Sequence, residues 1–419
     1  QSRSSAASDV YKRQSLNRTY TYFKYHGGIM PIYNRIADFQ DDLIATRRDI
    51  HENPELGFEE NRTSDLVANQ LESWGIEVHR GIAKTGLVGV LRGNGDSSRS
   101  IGIRADMDAL PMSEEGNPTY KSKNDGKMHA CGHDGHTTML LGAARYLAET
   151  RNFDGTVNFI FQPAEEGGGG GRVMVEEGVF EKFQCDTVWG MHNDPQLPAG
   201  MLATRPGPLM AAVDTVKITI KAIGCHAAMP HIGIDPIAVA VQLYTAMQTI
   251  VARNIDPIKS AVVSVTMMHA GSATNVIASK AELSASVRTF DPEIRKLIEH
   301  RVREICKGME TAHNVTIDID YDNGYPATIN HAKEAAEAIV IAKEVVGEKM
   351  VNDNIAPVMG GEDFSYMLEA RPGAFLWIGA GKTDNDPGLH HPEYDFNDEV
   401  LTLGSVSYTH LTLPTIYSV

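Results

Sequence analysis

The sequence predicts an α/β protein: a mixed, largely parallel sheet with flanking helices, and a ferredoxin-like α+β domain inserted into it. Two observations carry this. Between residues 86 and 191 short apolar runs alternate with helical stripes, as in a sheet covered by helices. From residue 213 the order becomes β-α-β-β-α-β, and after Gly324-Tyr325-Pro326 the first pattern resumes.

The elements follow in order. Ile36, Phe39, Leu43, Ile44, Arg47 and Ile50 form a helical stripe that Pro54 ends. Leu66, Val67, Gln70, Leu71 and Trp74 form a second, stopped by Gly75. Strands are expected over 86–91, 100–107, 156–162 and 187–191, with a helix over 135–149. Residues 213–221 alternate apolar and polar, as a half-exposed strand does. A helix over 235–253, strands over 261–269 and 281–289, a helix opened by Asp291-Pro292 and a strand over 314–321 complete the insert. Helices over 332–346 and 362–369 and a strand over 374–379 follow. The domains are therefore expected at 30–208 plus 324–405, with 209–323 inserted. Residues 1–29 read as a non-native leader before Met30, and 406–419 as a non-native tail; both are set outside the fold.

The chain has 419 residues, 42% hydrophobic and 22% charged, ordinary for a globular protein of two or three domains. A net charge of −16 argues against a nucleic-acid partner and against docking on an anionic membrane. No run approaches the ~18 apolar residues of a membrane span. Cys131, Cys185, Cys225 and Cys306 are too scattered for a disulfide framework, so a reduced, cytoplasmic protein is expected.

The densest chemistry lies in Met128-His-Ala-Cys-Gly-His-Asp-Gly-His136, just before a helix. Thiolate and imidazole suit zinc and related divalent metals, and Cys131 and His133 can face one side across Gly132. Glu165 and Glu166 follow a buried strand and precede five glycines; one can bind metal while the other serves as base. His192 closes another apolar strand, and His390 and His391 lie in a Gly/Pro loop. Together these supply what a two-metal hydrolytic site needs. Asp108 either orients a ligand histidine or forms a turn before Pro111. Glu362 and Asp363 open a helix, where carboxylates are favourable in any case. His226 leaves a strand among small residues, Asn275 sits in a Gly/Ser/Ala loop, and Arg288 is either a surface ion pair or a carboxylate clamp. A phosphate-binding GxxxxGK[ST] loop, an HExxH helix and a GxSxG turn are all absent. A nucleophilic Cys131 is possible, but among so many metal-type ligands coordination is the better reading.

These residues resemble the M20 metallopeptidase family, in its amidohydrolase branch of hippurate hydrolases, N-acyl-amino-acid amidohydrolases and auxin-conjugate hydrolases. The matching stretches include His51-Glu-Asn-Pro-Glu-Leu56, Arg104-Ala-Asp-Met-Asp-Ala-Leu-Pro111, His129-Ala-Cys-Gly-His-Asp134, Gln162-Pro-Ala-Glu-Glu166, Gly190-Met-His192, His226-Ala-Ala-Met-Pro-His231 and Leu389-His-His-Pro392, in order from Met30 to about Gly404. The resemblance implies a di-metal exopeptidase-like domain with two divalent ions (manganese, zinc, cobalt or nickel) on Cys131, His133, Glu166, His192 and His390, Cys131 bridging. It implies Glu165 as general base and excludes His391 as a ligand. It also implies that the inserted domain forms a homodimer, alone or as half of a tetramer, and that His226 reaches the active site of the partner subunit to polarise the scissile carbonyl. Asn275 and Arg288 match substrate-holding residues. The expected substrate is an N-acyl amino acid, cleaved to a carboxylic acid and a free amino acid. The alternatives are a dipeptidase or carboxypeptidase of the same superfamily, or a protein that binds metal or acyl-amino acid without turnover. The family continues past Gly404 with a C-terminal helix, which the tail does not resemble.

Overall fold

The structure, a computed structural model, describes residues 30–383 and 385–416. The leader expected over 1–29 and the last three residues of the tail lie outside them. The chain divides into two compact units, one holding residues up to 207, 330–355 and 366 onward, the other 208–329 and 356–365.

The first unit begins with helices Met30–Ala37, Gln40–Glu52 and Asn61–Ser73, then strands β1 (Glu77–Ile82), β2 (Gly86–Arg92) and β3 (Ser100–Asp106). Helix His133–Thr150, β4 (Thr156–Gln162), β5 (Thr187–Pro198) and β6 (Leu202–Ala203) follow. The second unit contributes β7 (Gly207–Met210), β8 (Ala212–Lys221), β9 (Cys225–His226), β10 (Ala261–Ala270), β11 (Val276–Ile277), β12 (Lys280–Thr289), β13 (Thr316–Asn323) and β14 (Thr328–Asn330). The chain returns with helix Ala332–Val346, β15 (Val351–Asn352) and β16 (Gly373–Gly381).

The main sheet runs β1-β2-β4-β3-β5-β16-β6-β15. Its centre, β4-β3-β5-β16, is parallel; β1, β2 and β6 pair antiparallel to their inner neighbours. The apolar strands β3 and β4 are buried nearly throughout, as central parallel strands must be. β5 runs further than expected, to Pro198, because β16 pairs with it beyond His192 through Asp194. His192 therefore sits inside the strand rather than at its end.

In the second unit β10-β12-β8-β13 form an antiparallel sheet with helices Pro236–Asn254 and Pro292–His313 packed on one face. The connections β8-helix-β10-β12-helix-β13 give the ferredoxin-like arrangement. Residues 324–329 and 356–365 cluster with this unit, not with the first. The cause is local pairing: β14 joins β7, and the Ala211 amide donates to the Val358 and Gly360 carbonyls. The expected helix over 362–369 starts only at Ser365, with Glu362 accepting the Phe364 amide ahead of it.

The tail expectation needs correction. A helix runs Leu401–Ile416, and Val406, Tyr408 and Leu411 are buried in the main core. It lies against helix His133–Thr150 at a glycine seam. A Cβ on Gly404 would come within 1.9 Å of Met139 Sδ, and one on Gly142 within 2.3 Å of Ser405 Oγ. Ser405 Oγ donates to the Met139 carbonyl (2.9 Å), and the Tyr408 hydroxyl to that of Arg104 (3.1 Å). Among the described residues no helix is long and apolar enough to cross a membrane.

Candidate metal centre

The carboxyl ends of the parallel strands are where open α/β sheets bind ligands. β4 delivers Glu165 and Glu166, β5 carries His192, and the loop before helix His133–Thr150 brings Cys131 and His133. Gly132 makes this last step with φ 94°; a Cβ there would strike Asn193 Oδ1 at 2.2 Å. His390 arrives on the loop after β16, tied by its amide to the Ala130 carbonyl (2.8 Å).

The donor atoms of Cys131, His133 and His192 lie within 4.8 Å of one another, and so do those of Cys131, Glu166 and His390. The two groups share the Cys131 sulfur. A further group, His133 with Glu165 and Glu166, borrows from both. Cys131 Sγ is 3.3 Å from His192 Nε2, and His390 Nε2 is 3.0 Å from Glu166 Oε1. His192 Nδ1 lies 2.7 Å from the Asn193 carbonyl, which places the proton there and leaves Nε2 for a metal.

The surroundings are buried and charged. Burial pushes the Cys131 thiol well up, and the Glu166 and Glu165 carboxylates add to this. Burial opposes charge on His133, but the Asp106 and Asp108 carboxylates outweigh it and raise the ring to about 10. Burial, reinforced by His136, pushes His192 well down and keeps it neutral. Asp108 accepts the Glu165 amide on Oδ1 (3.0 Å) and the Glu166 amide on Oδ2 (2.9 Å), and its Oδ1 lies 3.3 Å from His133 Nδ1.

The three other expected residues belong to the second unit. β9 pairs with β11, setting His226 opposite Val276, and the Ala227 amide donates to the Asn275 carbonyl (3.0 Å). His226 and Asn275 line one open hollow; His226 is exposed, with Nδ1 accepting the Ala228 amide. Arg288 is not among the residues of that hollow. It stands on β12 beside Ser284 and Ser286, on the face away from the helices, and donates to Ser286 Oγ (3.2 Å).

Residues 102–413 match the family described as Peptidase family M20/M25/M40. The chain belongs to this family. It is 44% identical over 384 residues to a hippurate hydrolase of Campylobacter jejuni, covering 92% of this chain and 99% of that one. It is 39% identical over 383 residues to an N-acetylcysteine deacetylase of Bacillus subtilis, covering 90% and 97%. The solved YXEP protein of B. subtilis, described as a dinuclear metal binding peptidase from M20 family, superimposes with a TM-score of 0.79 at 35% identity, covering 91% of this chain and 99% of that one.

In this M20 peptidase the donors suit divalent metals. His133 Nε2 is buried without a hydrogen bond, an arrangement a cation resolves. His136 is different, although it forms a compact group with Asp106 and His133. Its Nδ1 lies 2.6 Å from Asp106 Oδ1 and its Nε2 2.7 Å from Asn193 Oδ1, so no ring nitrogen remains for a metal. It is the middle of a buried chain that runs from Arg104 through Asp106 and His136 to Asn193 and the Tyr394 hydroxyl. Sequence reasoning missed this chain. Its only signal was that charged Arg104 and Asp106 alternate within an apolar strand.

Proposed function

We propose that the chain is a metal-dependent amidohydrolase that cleaves N-acyl amino acids to a carboxylic acid and a free amino acid. The single observation that carries this is the pair of donor groups sharing Cys131, with Glu165 beside them. Hippurate hydrolysis and N-acetylcysteine deacetylation, the activities that name two relatives, are both cleavages of such amides.

Cys131, His133 and His192 would hold one divalent ion, and Cys131, Glu166 and His390 the other; zinc, manganese, cobalt or nickel suits this set. When bound, such ions supply Lewis acidity that makes water more acidic and polarises a carbonyl. Glu165, outside both groups that share Cys131, takes the proton of the attacking water and returns it to the leaving amine. Asp108 holds the Glu165 and Glu166 backbone and steadies His133. His226, reaching across the homodimer into the other subunit's site, stabilises the oxyanion, Asn275 orients the acyl-amino acid, and Arg288 pairs with its carboxylate.

The second unit makes the homodimer in this reading. Ile237, Val241 and Tyr244 form an exposed apolar stripe on helix Pro236–Asn254, and Met267 and Met268 are exposed on the edge strand β10. A reducing, cytoplasmic compartment fits the same reading, because Cys131 must stay reduced to ligate. The test is glycine release from benzoylglycine by chelator-stripped protein titrated with manganese or zinc, against unblocked dipeptides as a control. Activity that returns near two ions per chain is expected. Turnover of dipeptides alone, or none with metal bound, overturns the reading.

A further inference from the structure

The loop bearing Glu165 and Glu166 is gripped from two sides. Asp108 accepts both of their amides on one side. On the other stands Glu60, fully buried at the start of helix Asn61–Ser73. Its Oε1 accepts the Ala164 amide at 2.8 Å, and its Oε2 accepts the Thr85 hydroxyl at 2.5 Å. Ala164 has φ 51°, a left-handed conformation that L-residues rarely adopt unaided. Its methyl is boxed in: a Cβ on Gly57 or Gly168 would come within 2.9 or 2.7 Å of it. This one turn aims the next two amides at the two oxygens of Asp108.

We propose that Glu60 is a positioning residue, whose acceptor oxygen holds the Ala164 turn and thereby sets where Glu165 and Glu166 stand. This rests on the roles given above to Glu165 and Glu166. Burial pushes the Glu60 carboxyl up to about 7, and either protonation form leaves an oxygen for the Ala164 amide. The requirement is for an acceptor in this place, not for a charge.

Two variants and one exchange measurement test it. Glu60→Gln keeps an oxygen for Ala164; Glu60→Leu keeps the bulk and removes the acceptor. With metal-loaded enzyme and benzoylglycine, kcat per folded molecule should fall about 10- to 100-fold in E60L, as when a metal ligand loses its support. KM should stay within about threefold in E60L, because binding is not what the turn supplies, and E60Q should stay within about threefold of wild type in both constants. Hydrogen–deuterium exchange over residues 163–168 should be slow in wild type and faster in E60L. A folded E60L with wild-type kcat, or an E60Q as impaired as E60L, overturns the proposal. If E60L does not fold, slow exchange of the wild-type segment supports the grip and fast exchange overturns it. Should wild type leave benzoylglycine intact, the functional reading fails, while the exchange arm still decides the role of Glu60.

Discussion

Glu165 and Glu166 are neighbours in the chain, yet only Glu166 joins Cys131 and His390 in a donor group. Glu165→Gln should therefore keep bound metal and lose kcat by about 10²–10⁴, the usual weight of a positioned general base. Metal content measured beside turnover checks both halves. A second residue with a clear pH signature is His51. Burial opposes its charge, but Nδ1 lies 2.9 Å from Asp134 Oδ2 and Nε2 3.4 Å from Glu114 Oε1, and these raise it to about 9. The folded value lies above the ~6.5 of an unfolded histidine. Its stabilisation is thus fully present below about pH 6.5 and is lost as pH rises through about 9. The loss is on the order of 3 kcal/mol at 1.36 kcal/mol per unit. Asp134, held well below the carboxylate range despite its burial, has the opposite sign and loses its contribution in acid. Unfolding of metal-free protein followed between pH 6.5 and 9 should show the decline; His133, raised to about 10, adds to it with the same sign, so His51→Gln should make it shallower rather than remove it.

The helix Leu401–Ile416 shows what a sequence hides at the scale of an element. Residues 401–412 are buried all round, so no polar face marks a helical period. Its Thr, Ser and Leu beyond Val406 then read as a non-native tail. Strands β3 and β4 were legible for the converse reason: short apolar runs bounded by polar turns have few other solutions. The metal donors were legible because Cys, His and Glu in that density have few bland explanations. Glu60, His136, Asn193 and Tyr394 were not, since each gains its role from a partner far away in sequence. The glycine seam gives a direct test of the helix. Gly404→Leu must push Met139 aside and should destabilise the fold by about 1–3 kcal/mol or more. Denaturant unfolding of that variant checks it; an unchanged midpoint would mean the helix does not pack there.

For the whole molecule, the exposed stripe on helix Pro236–Asn254 and the edge of β10 predict association through the second unit. Sedimentation should give a dimer, and Val241→Lys with Met267→Lys should shift it to monomer; a monomeric wild type would refute the homodimer. The strand order also bears on how the protein is made. β16 lies in the middle of the main sheet, between β5 and β6, yet it is synthesised after the entire second unit. A ribosome that has just finished β5 holds a chain with an apolar parallel edge and no strand to cover it. Cys131, His133 and His192 are already in that chain, while His390 is not. During synthesis the nascent protein is therefore a half-equipped metal binder with a sticky border, the kind of intermediate that chaperones shelter.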